Sequence, residues 1–255
     1  MAVKGIERFS EHFAGYEDRY VLIGGTASTV AMEEAGLAFR ATKDLDIVLS
    51  VEALDREFGD LFWKFVRNGG YQNRQQSTGE KQFYRFEKPS DETFPLMLEL
   101  FSRLPDALIL PEGSHLTPIP VAEAVSSLSA ILLDDTYYDF IQEGKHIVDG
   151  LSVIGAERLV PLKARAWNDL QRLQQGGVRI QSHDVNKHRG DVFRLFQVVD
   201  PTARLPLSEP IRLDLQQFLE RVESQGGINL KDLGITTIDF ETTVDRIREF
   251  YGLGR

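Results

Sequence analysis

The stretch IGGTASTVAMEEAGLAFRATKDLDIVL, residues 23–49, begins with two adjacent glycines and ends with two aspartates inside an apolar run. Asp44 and Asp46 alternate with apolar residues, which is the pattern of a β-strand with one apolar face. An ionised carboxylate in apolar surroundings is costly unless a partner compensates its charge. The stretch therefore predicts a strand whose two aspartates bind a cation or contact another group that compensates their charge.

A third carboxylate occurs in PLMLELFS, residues 95–102, where Glu99 is the acid of an otherwise apolar, strand-like run. Side chains two residues apart on a strand lie on the same face, about 7 Å apart, so Asp44 and Asp46 share a face. If the two strands are neighbours, Glu99 completes a three-carboxylate site. Carboxylates in this arrangement suit one or two divalent cations.

Two glycines, Gly24 and Gly25, separate a short apolar strand, YVLI, from an Ala-rich segment with helical character. We expect Thr26 or Ser28 to cap this helix and Gly36 to end it. Glycines let a ligand approach the backbone closely, and the first N–H groups of a helix suit a phosphate. The segment lacks the Gly-Lys-Ser/Thr sequence of a P-loop, which argues against an ordinary ATPase.

The character of the predicted elements changes near the middle of the chain. Residues 1–119 mix helical and strand-like runs, which predicts an α+β (α/β) domain built around a sheet. Residues 120–255 carry mostly helical spacing, which predicts a second, mostly helical domain. Between its first two helices, YYDFIQEGKHIVDGLSVIG, residues 137–155, is predicted to be a hairpin with Gly144 near its turn.

Composition narrows the class of protein. The chain has 255 residues, of which 42% are hydrophobic and 27% charged, as expected for a globular fold rather than a disordered chain. No run approaches the about 18 apolar residues of a membrane-spanning helix, and the charged N-terminal segment does not resemble a secretory signal. The chain has no cysteine, which excludes disulfides and thiol catalysis and fits a cytoplasmic location.

The charge is unevenly distributed along the chain. Residues 157–194 contain eight Lys or Arg and four Asp or Glu, which gives this segment a charge of +4 within a chain of net charge −10. Such a segment suits an anionic ligand, whereas a solvated helical surface explains the same count equally well. Both interpretations stay open at this point.

Several motifs together carry a resemblance to a known family. Gly24–Ala27 is followed by FRATKDLDIVL, residues 39–49, and further on by LVPLKARAWNDL, residues 159–170, and HDVNKHRGDVFRLF, residues 183–196. In these segments the sequence resembles the AbiEii-type branch of the polymerase-β-like nucleotidyltransferases. The resemblance covers residues 20–196.

The resemblance implies a polymerase-β-like sheet lobe and a helical lobe, with an NTP and Mg²⁺ held between them and two ions expected. Asp44 and Asp46 would bind the metal ions, with Glu99 in the third carboxylate position, where Asp is commoner in the family. Asp191 would lie in the last acidic motif of the family. These four acids are the catalytic residues that the resemblance implies.

The resemblance also implies which residues contact the nucleotide. Its β- and γ-phosphates would be held by the glycine motif, Gly24, Gly25 and Thr26. Lys163 would contact the triphosphate, although the helix then carries Asn168 and Asp169 where many members have an Arg. Arg40 would orient the site or pair with an acid of the core, and Thr42 is expected to brace the turn through its hydroxyl.

The function that the resemblance implies is transfer of a nucleoside monophosphate from an NTP to a macromolecular acceptor, tRNA or a protein, with release of pyrophosphate. It also implies the toxin of a toxin–antitoxin or phage-defence pair, restrained by a separately encoded antitoxin, with no membrane partner. Two alternatives stay open. One is a small-molecule acceptor, as in antibiotic-modifying enzymes, and the other is a non-catalytic module that binds nucleotide or a partner protein.

Overall fold

The computed structural model describes most of the chain, namely residues 3–50, 53, 55–73, 84–101 and 135–254. The chain divides into two compact units, the sheet unit, residues 1–155, and the helical unit, residues 156–255. The predicted α+β fold is confirmed, because the first unit contains a mixed sheet and the second is mostly helical. The predicted domain boundary between residues 119 and 120 lies outside the described residues, as does VAEAVSSLSAILL, residues 121–133, the first run of helical spacing after that boundary.

Seven strands form one mixed sheet within the described residues. In chain order they are β1 Tyr20–Ile23, β2 Asp44–Leu49, β3 Gln72–Asn73, β4 Tyr84–Glu87, β5 Met97–Phe101, β6 Lys145–Val148 and β7 Leu151–Ile154. The order across the sheet is β3-β4-β5-β2-β1-β7-β6, with β2 antiparallel to β1 and parallel to β5. The two strands that carry the predicted acids are therefore neighbours.

Eight α-helices lie in the described part of the chain. The sheet unit contains α1 Ile6–His12, α2 Gly24–Glu34, α3 Arg56–Gly69 and α4 Asp135–Glu143. The helical unit contains α5 Ala156–Gln175, α6 Ser182–Phe196, α7 Glu209–Ser224 and α8 Phe240–Tyr251. None of these helices combines the length and the apolar character that a bilayer span requires.

One face of the sheet packs against aromatic side chains of α1 and α3. Tyr20 of β1 lies opposite Leu49 on this face. The Tyr20 ring centroid is 5.2 Å from that of Phe9 in α1, and the ring of Phe86 in β4 is 5.7 Å from that of Phe62 in α3. The odd-numbered residues of β2 point to this face and are buried, which leaves its two aspartates on the opposite face.

In the helical unit, α5 packs against α6 and α7, with the Trp167 ring centroid 5.2 Å from that of Phe218. Pro161 lies inside α5 and has no N–H to donate to the carbonyl of Glu157 one turn earlier. The hydroxyl of Tyr251 in α8 donates to that carbonyl at 2.6 Å. This bond supplies the donor that the proline lacks, and burial raises the pKa of the Tyr251 hydroxyl well above its ordinary value.

The predicted hairpin is only partly correct. Residues 135–143 form α4 rather than a strand, and the hairpin of β6 and β7 turns at Asp149 and Gly150 instead of Gly144. Both turn residues have positive φ, 49° and 75°, as a type I′ turn requires, and Asp-Gly is a strong sequence signal for this turn. The hairpin extends the sheet, because β7 pairs in parallel with β1.

The start of α2 also differs from the prediction. The helix begins at Gly24 itself, with Ile23 at the N-cap, so neither Thr26 nor Ser28 caps it. The Ser28 hydroxyl instead donates to the Gly24 carbonyl at 2.5 Å, inside the first turn. The helix ends at Glu34, close to the predicted stop.

Candidate functional site

The three predicted acids of the sheet unit occupy neighbouring positions on one face. The parallel register pairs Asp46 with Glu99 and Asp44 with Met97, and neighbouring strands are about 4.8 Å apart. Glu99 is 6% exposed, whereas the two aspartates are half-buried. β2 and β5 are neighbours, which meets the condition that the three-carboxylate hypothesis set; the site itself stays a prediction.

The first glycine of the motif lies against the carboxylate of Asp46. Gly24 has a φ of +62°, a conformation that a residue with a side chain rarely adopts. A Cβ atom added at Gly24 would lie 1.8 Å from Asp46 Oδ2. Both the backbone conformation and the close approach of Asp46 therefore require glycine here.

The next two residues contact the segment that leads into β2. A Cβ atom at Gly25 would lie 2.5 Å from Thr42 Oγ1, so the threonine side chain packs directly on the glycine. The Thr26 hydroxyl donates to the carbonyl of Asp44 at 2.9 Å, and Thr26 is fully buried. Three consecutive residues of α2 thus contact residues 42–46, which is the structural reason for the Gly-Gly-Thr sequence.

Arg40 lies in the loop between α2 and β2. Its side chain is half-buried, and its guanidinium carbon is 5.4 Å from the ring centroid of Phe39. The same loop is held from the other side by an isolated parallel bridge between Val3 and Thr42. The loop that precedes the acidic strand is therefore anchored at both the start of α2 and the N-terminal segment.

The acids fit a divalent cation by their chemistry. Carboxylate oxygens are the ligands that Mg²⁺ prefers, and Asp44, Asp46 and Glu99 project from one face of adjacent strands. Among the described residues, however, no three Asp, Glu or His side chains are gathered closely enough to hold one ion. The type of ligand suits Mg²⁺, but the described side chains do not assemble a three-ligand site, so the magnesium site stays a prediction.

In the helical unit, the structure brings Lys163 and Asp191 together. Lys163 Nζ lies 3.6 Å from Asp191 Oδ2, and Arg194 Nη1 lies 3.6 Å from Asp191 Oδ1. Lys163 is 1% exposed and Asp191 is fully buried. The two residues predicted to act on the nucleotide thus form a buried ion pair between α5 and α6.

A second charged cluster, which the sequence analysis missed, joins α5 to α7. Arg165 contacts both Asp169 and Asp214, and Arg172 Nη2 lies 3.2 Å from Asp169 Oδ1. Burial raises the pKa of Asp169, whereas the charges of Arg165 and Arg172 oppose that shift. The i,i+4 spacing of Arg165 and Asp169 is a helical ion-pair signal, but no local pattern indicates Asp214.

These ion pairs reduce the positive charge that residues 157–194 offer to a ligand. At least four of the eight basic residues in 157–194 pair with acids of the same unit, namely Lys163, Arg165, Arg172 and Arg194. The charge count of the sequence therefore overstates what this segment offers to an anionic ligand.

Comparisons with known proteins add little to this geometry. No protein-family model and no curated protein matches the chain. A crystal structure of a candidate nucleotidyltransferase from Helicobacter pylori aligns with 98% of this chain and 91% of its own, at 14% identity and a TM-score of 0.43. The JHP933 protein from Helicobacter pylori aligns with 98% of this chain and 88% of its own, at 15% identity and a TM-score of 0.42.

Proposed function

We propose that this protein is a metal-dependent nucleotidyltransferase that takes a nucleoside monophosphate from an NTP and releases pyrophosphate. One observation carries the proposal: Asp46 and Glu99 lie in register on adjacent strands, beside the glycine at which α2 begins.

Adjacent carboxylates favour a bound cation. Carboxylates at neighbouring positions on one sheet face are ligands that a single divalent cation accepts together. Asp44, Asp46 and Glu99 would hold Mg²⁺, with two ions as the family resemblance implies.

The proposed reaction forms a bond between an acceptor hydroxyl oxygen and the α-phosphorus of the NTP. The bond from that phosphorus to the oxygen bridging to the β-phosphate breaks, pyrophosphate leaves with its electron pair, and the hydroxyl proton passes to Glu99 or to water. When bound, Mg²⁺ supplies Lewis acidity at the attacking oxygen and neutralises charge on the leaving group. Gly24 and Gly25 would offer backbone N–H groups to the phosphates at the start of α2.

Three further residues belong to the proposal. Lys163 would contact the triphosphate, and Asp191, which lies 3.6 Å from the Lys163 ammonium, would orient it. Arg40, which is half-buried in the loop before β2, would orient the site. These roles rest on the family resemblance.

We further propose that the acceptor is a macromolecule, tRNA or a protein, and that the enzyme is a cytoplasmic toxin with a cognate antitoxin. This part rests on the resemblance and on composition. Salt dependence distinguishes RNA from a small-molecule acceptor, because RNA binding weakens steeply as ionic strength rises.

Transfer of label from each NTP, labelled at its α-phosphate, to total RNA and to cell lysate tests the proposal. The wild-type protein should label an acceptor in Mg²⁺ and lose this activity in EDTA. Asp46→Asn should lower the labelling rate by at least about 100-fold, the scale of losing one main electrostatic group.

Asp149→Asn is the matched control for that variant. Asp149 is an exposed aspartate of the same unit, and its φ of 49° is one that Asn tolerates. The control should label at the wild-type rate. Equal rates for Asp46→Asn and the wild-type protein, or no labelling by the wild type under any condition, would contradict the proposed function.

A further inference from the structure

We propose that Thr26 is a positioning residue, whose hydroxyl fixes the acidic strand rather than binding a phosphate of the nucleotide. The catalytic consequence of this inference rests on the proposed function, whereas the structural part does not. The inference replaces the phosphate-binding role that the family resemblance implies for Thr26.

The hydroxyl of Thr26 already has an internal acceptor. It donates to the carbonyl oxygen of Asp44, the first residue of β2, at 2.9 Å. A threonine hydroxyl carries a single proton to donate, and Thr26 is fully buried. The donor capacity that a phosphate would use is therefore engaged with the backbone of the acidic strand.

A second contact holds the same segment. The Thr42 side chain packs on Gly25, where an added Cβ atom would lie only 2.5 Å from its hydroxyl oxygen. Thr42 also forms a backbone bridge with Val3. The two threonines thus fix residues 42–44 against α2 and against the N-terminal segment.

Fixing the start of β2 determines where its aspartates lie. Asp44 carries the accepting carbonyl, and Asp46 follows on the same face of the strand. Catalytic ligands tolerate displacements of only about 0.5 Å, and a misplacement of about 1 Å can cost about 100-fold in rate. Loss of the Thr26 hydrogen bond should therefore affect turnover more than nucleotide binding.

The experiment compares Thr26→Val, which removes the donor at nearly constant shape, with Thr26→Ser, which keeps it. Thr29→Val is the matched control, because Thr29 lies in the same helix, is 1% exposed, and donates to the Gly25 carbonyl at 3.0 Å. Two quantities are measured for each protein: hydrogen exchange of the amides in residues 44–49, and the kcat and KM for NTP.

Thr26→Val should speed exchange in residues 44–49 and lower kcat, each by about tenfold, which corresponds to about 1.4 kcal/mol, with the KM for NTP unchanged within about twofold. Thr26→Ser and Thr29→Val should behave as the wild type. A raised KM with unchanged exchange would overturn the inference and return Thr26 to the nucleotide site. Equal effects of Thr26→Val and Thr29→Val would also overturn it.

The two proposals can fail separately. If the wild-type protein transfers no nucleotide, the proposed function fails, and the exchange rates alone decide whether Thr26 fixes β2. If the wild type is active and Thr26→Val exchanges and turns over normally, only the positioning role fails.

Discussion

Glu99 in the sheet unit and Asp191 in the helical unit are both buried, yet their surroundings differ. Asp191 has the cations of Lys163 and Arg194 within 3.6 Å. Glu99 lies in register between an acid, Asp46 of β2, and a base, Arg85 of β4. In the helical unit two cations flank the buried carboxylate. In the sheet unit the buried carboxylate has a second acid in register on one side and an Arg on the other, so two carboxylates that suit a divalent cation lie on adjacent strands.

The largest effect that we expect tests the helical half of this comparison. Lys163→Met should lower the free energy of unfolding by about 3 kcal/mol or more, because it leaves the buried Asp191 with a weaker set of partners. The measurement is urea unfolding at neutral pH. The double variant Lys163→Met/Asp191→Asn should recover at least half of the loss, since both charges are then absent. A loss below about 1 kcal/mol for the single variant would contradict a stabilising pair.

The next effect concerns the contact between Asp46 and the start of α2. Gly24→Ala and Gly36→Ala both introduce a side chain at positive φ, +62° and +72°, but only the former meets an atom, Asp46 Oδ2, within 4 Å. Gly24→Ala should therefore lose about 2 kcal/mol more stability than Gly36→Ala, as expected for an overpacked site. It should also lose most of the nucleotide transfer. Thermal unfolding measures the loss of stability, and the labelling assay measures the loss of nucleotide transfer. Equal stability and equal transfer rates for the two variants would show that the Asp46 side chain moves aside without an energetic penalty.

The smallest effect concerns a third use of a carboxylate, as a helix cap. The pKa of Asp239, at the start of α8, is lowered mainly by a hydrogen bond from the backbone N–H of Thr242. A hydrogen bond from the Thr242 hydroxyl lowers it further. A carboxyl whose pKa is lower in the folded than in the unfolded protein stabilises the fold at pH values above its unfolded-state pKa of about 4. This contribution to the free energy of unfolding is lost as the pH falls through the folded-state pKa. Asp239→Asn keeps a capping acceptor but does not titrate.

The wild type should therefore lose more stability than Asp239→Asn when the pH falls from 7 to 3, as measured by thermal unfolding. The two proteins should differ little at pH 7. Parallel decreases in the two melting temperatures would show that the Asp239 cap does not depend on its charge.

The sequence predicts the acidic strand and its glycine-rich neighbour because both follow local rules. Alternation in residues 44–49 indicates which side chains share a face, and the apolar run around Glu99 indicates a second strand. The pairing of β2 with β5 depends on the whole sheet, so the sequence could state it only as a condition. The structure meets that condition.

Other features lie beyond local patterns. The Asp149–Gly150 turn was available as a hairpin signal, but the pattern in residues 137–155 placed the turn five residues too early. The donor that Tyr251 supplies to Glu157 comes from a helix almost 100 residues away. The partner of Thr26 likewise depends on how α2 packs on β2, so the resemblance assigned its hydroxyl to a phosphate.

Binding of Mn²⁺, a paramagnetic substitute for Mg²⁺, tests the central claim most directly. Electron paramagnetic resonance titration should show that the wild type and Asp149→Asn bind Mn²⁺ with the same affinity. Asp46→Asn and Glu99→Gln should each weaken binding by at least about tenfold, equivalent to about 1.4 kcal/mol. Unchanged affinity in both site variants would mean that the carboxylates of β2 and β5 do not share a metal ion, and the account would be contradicted.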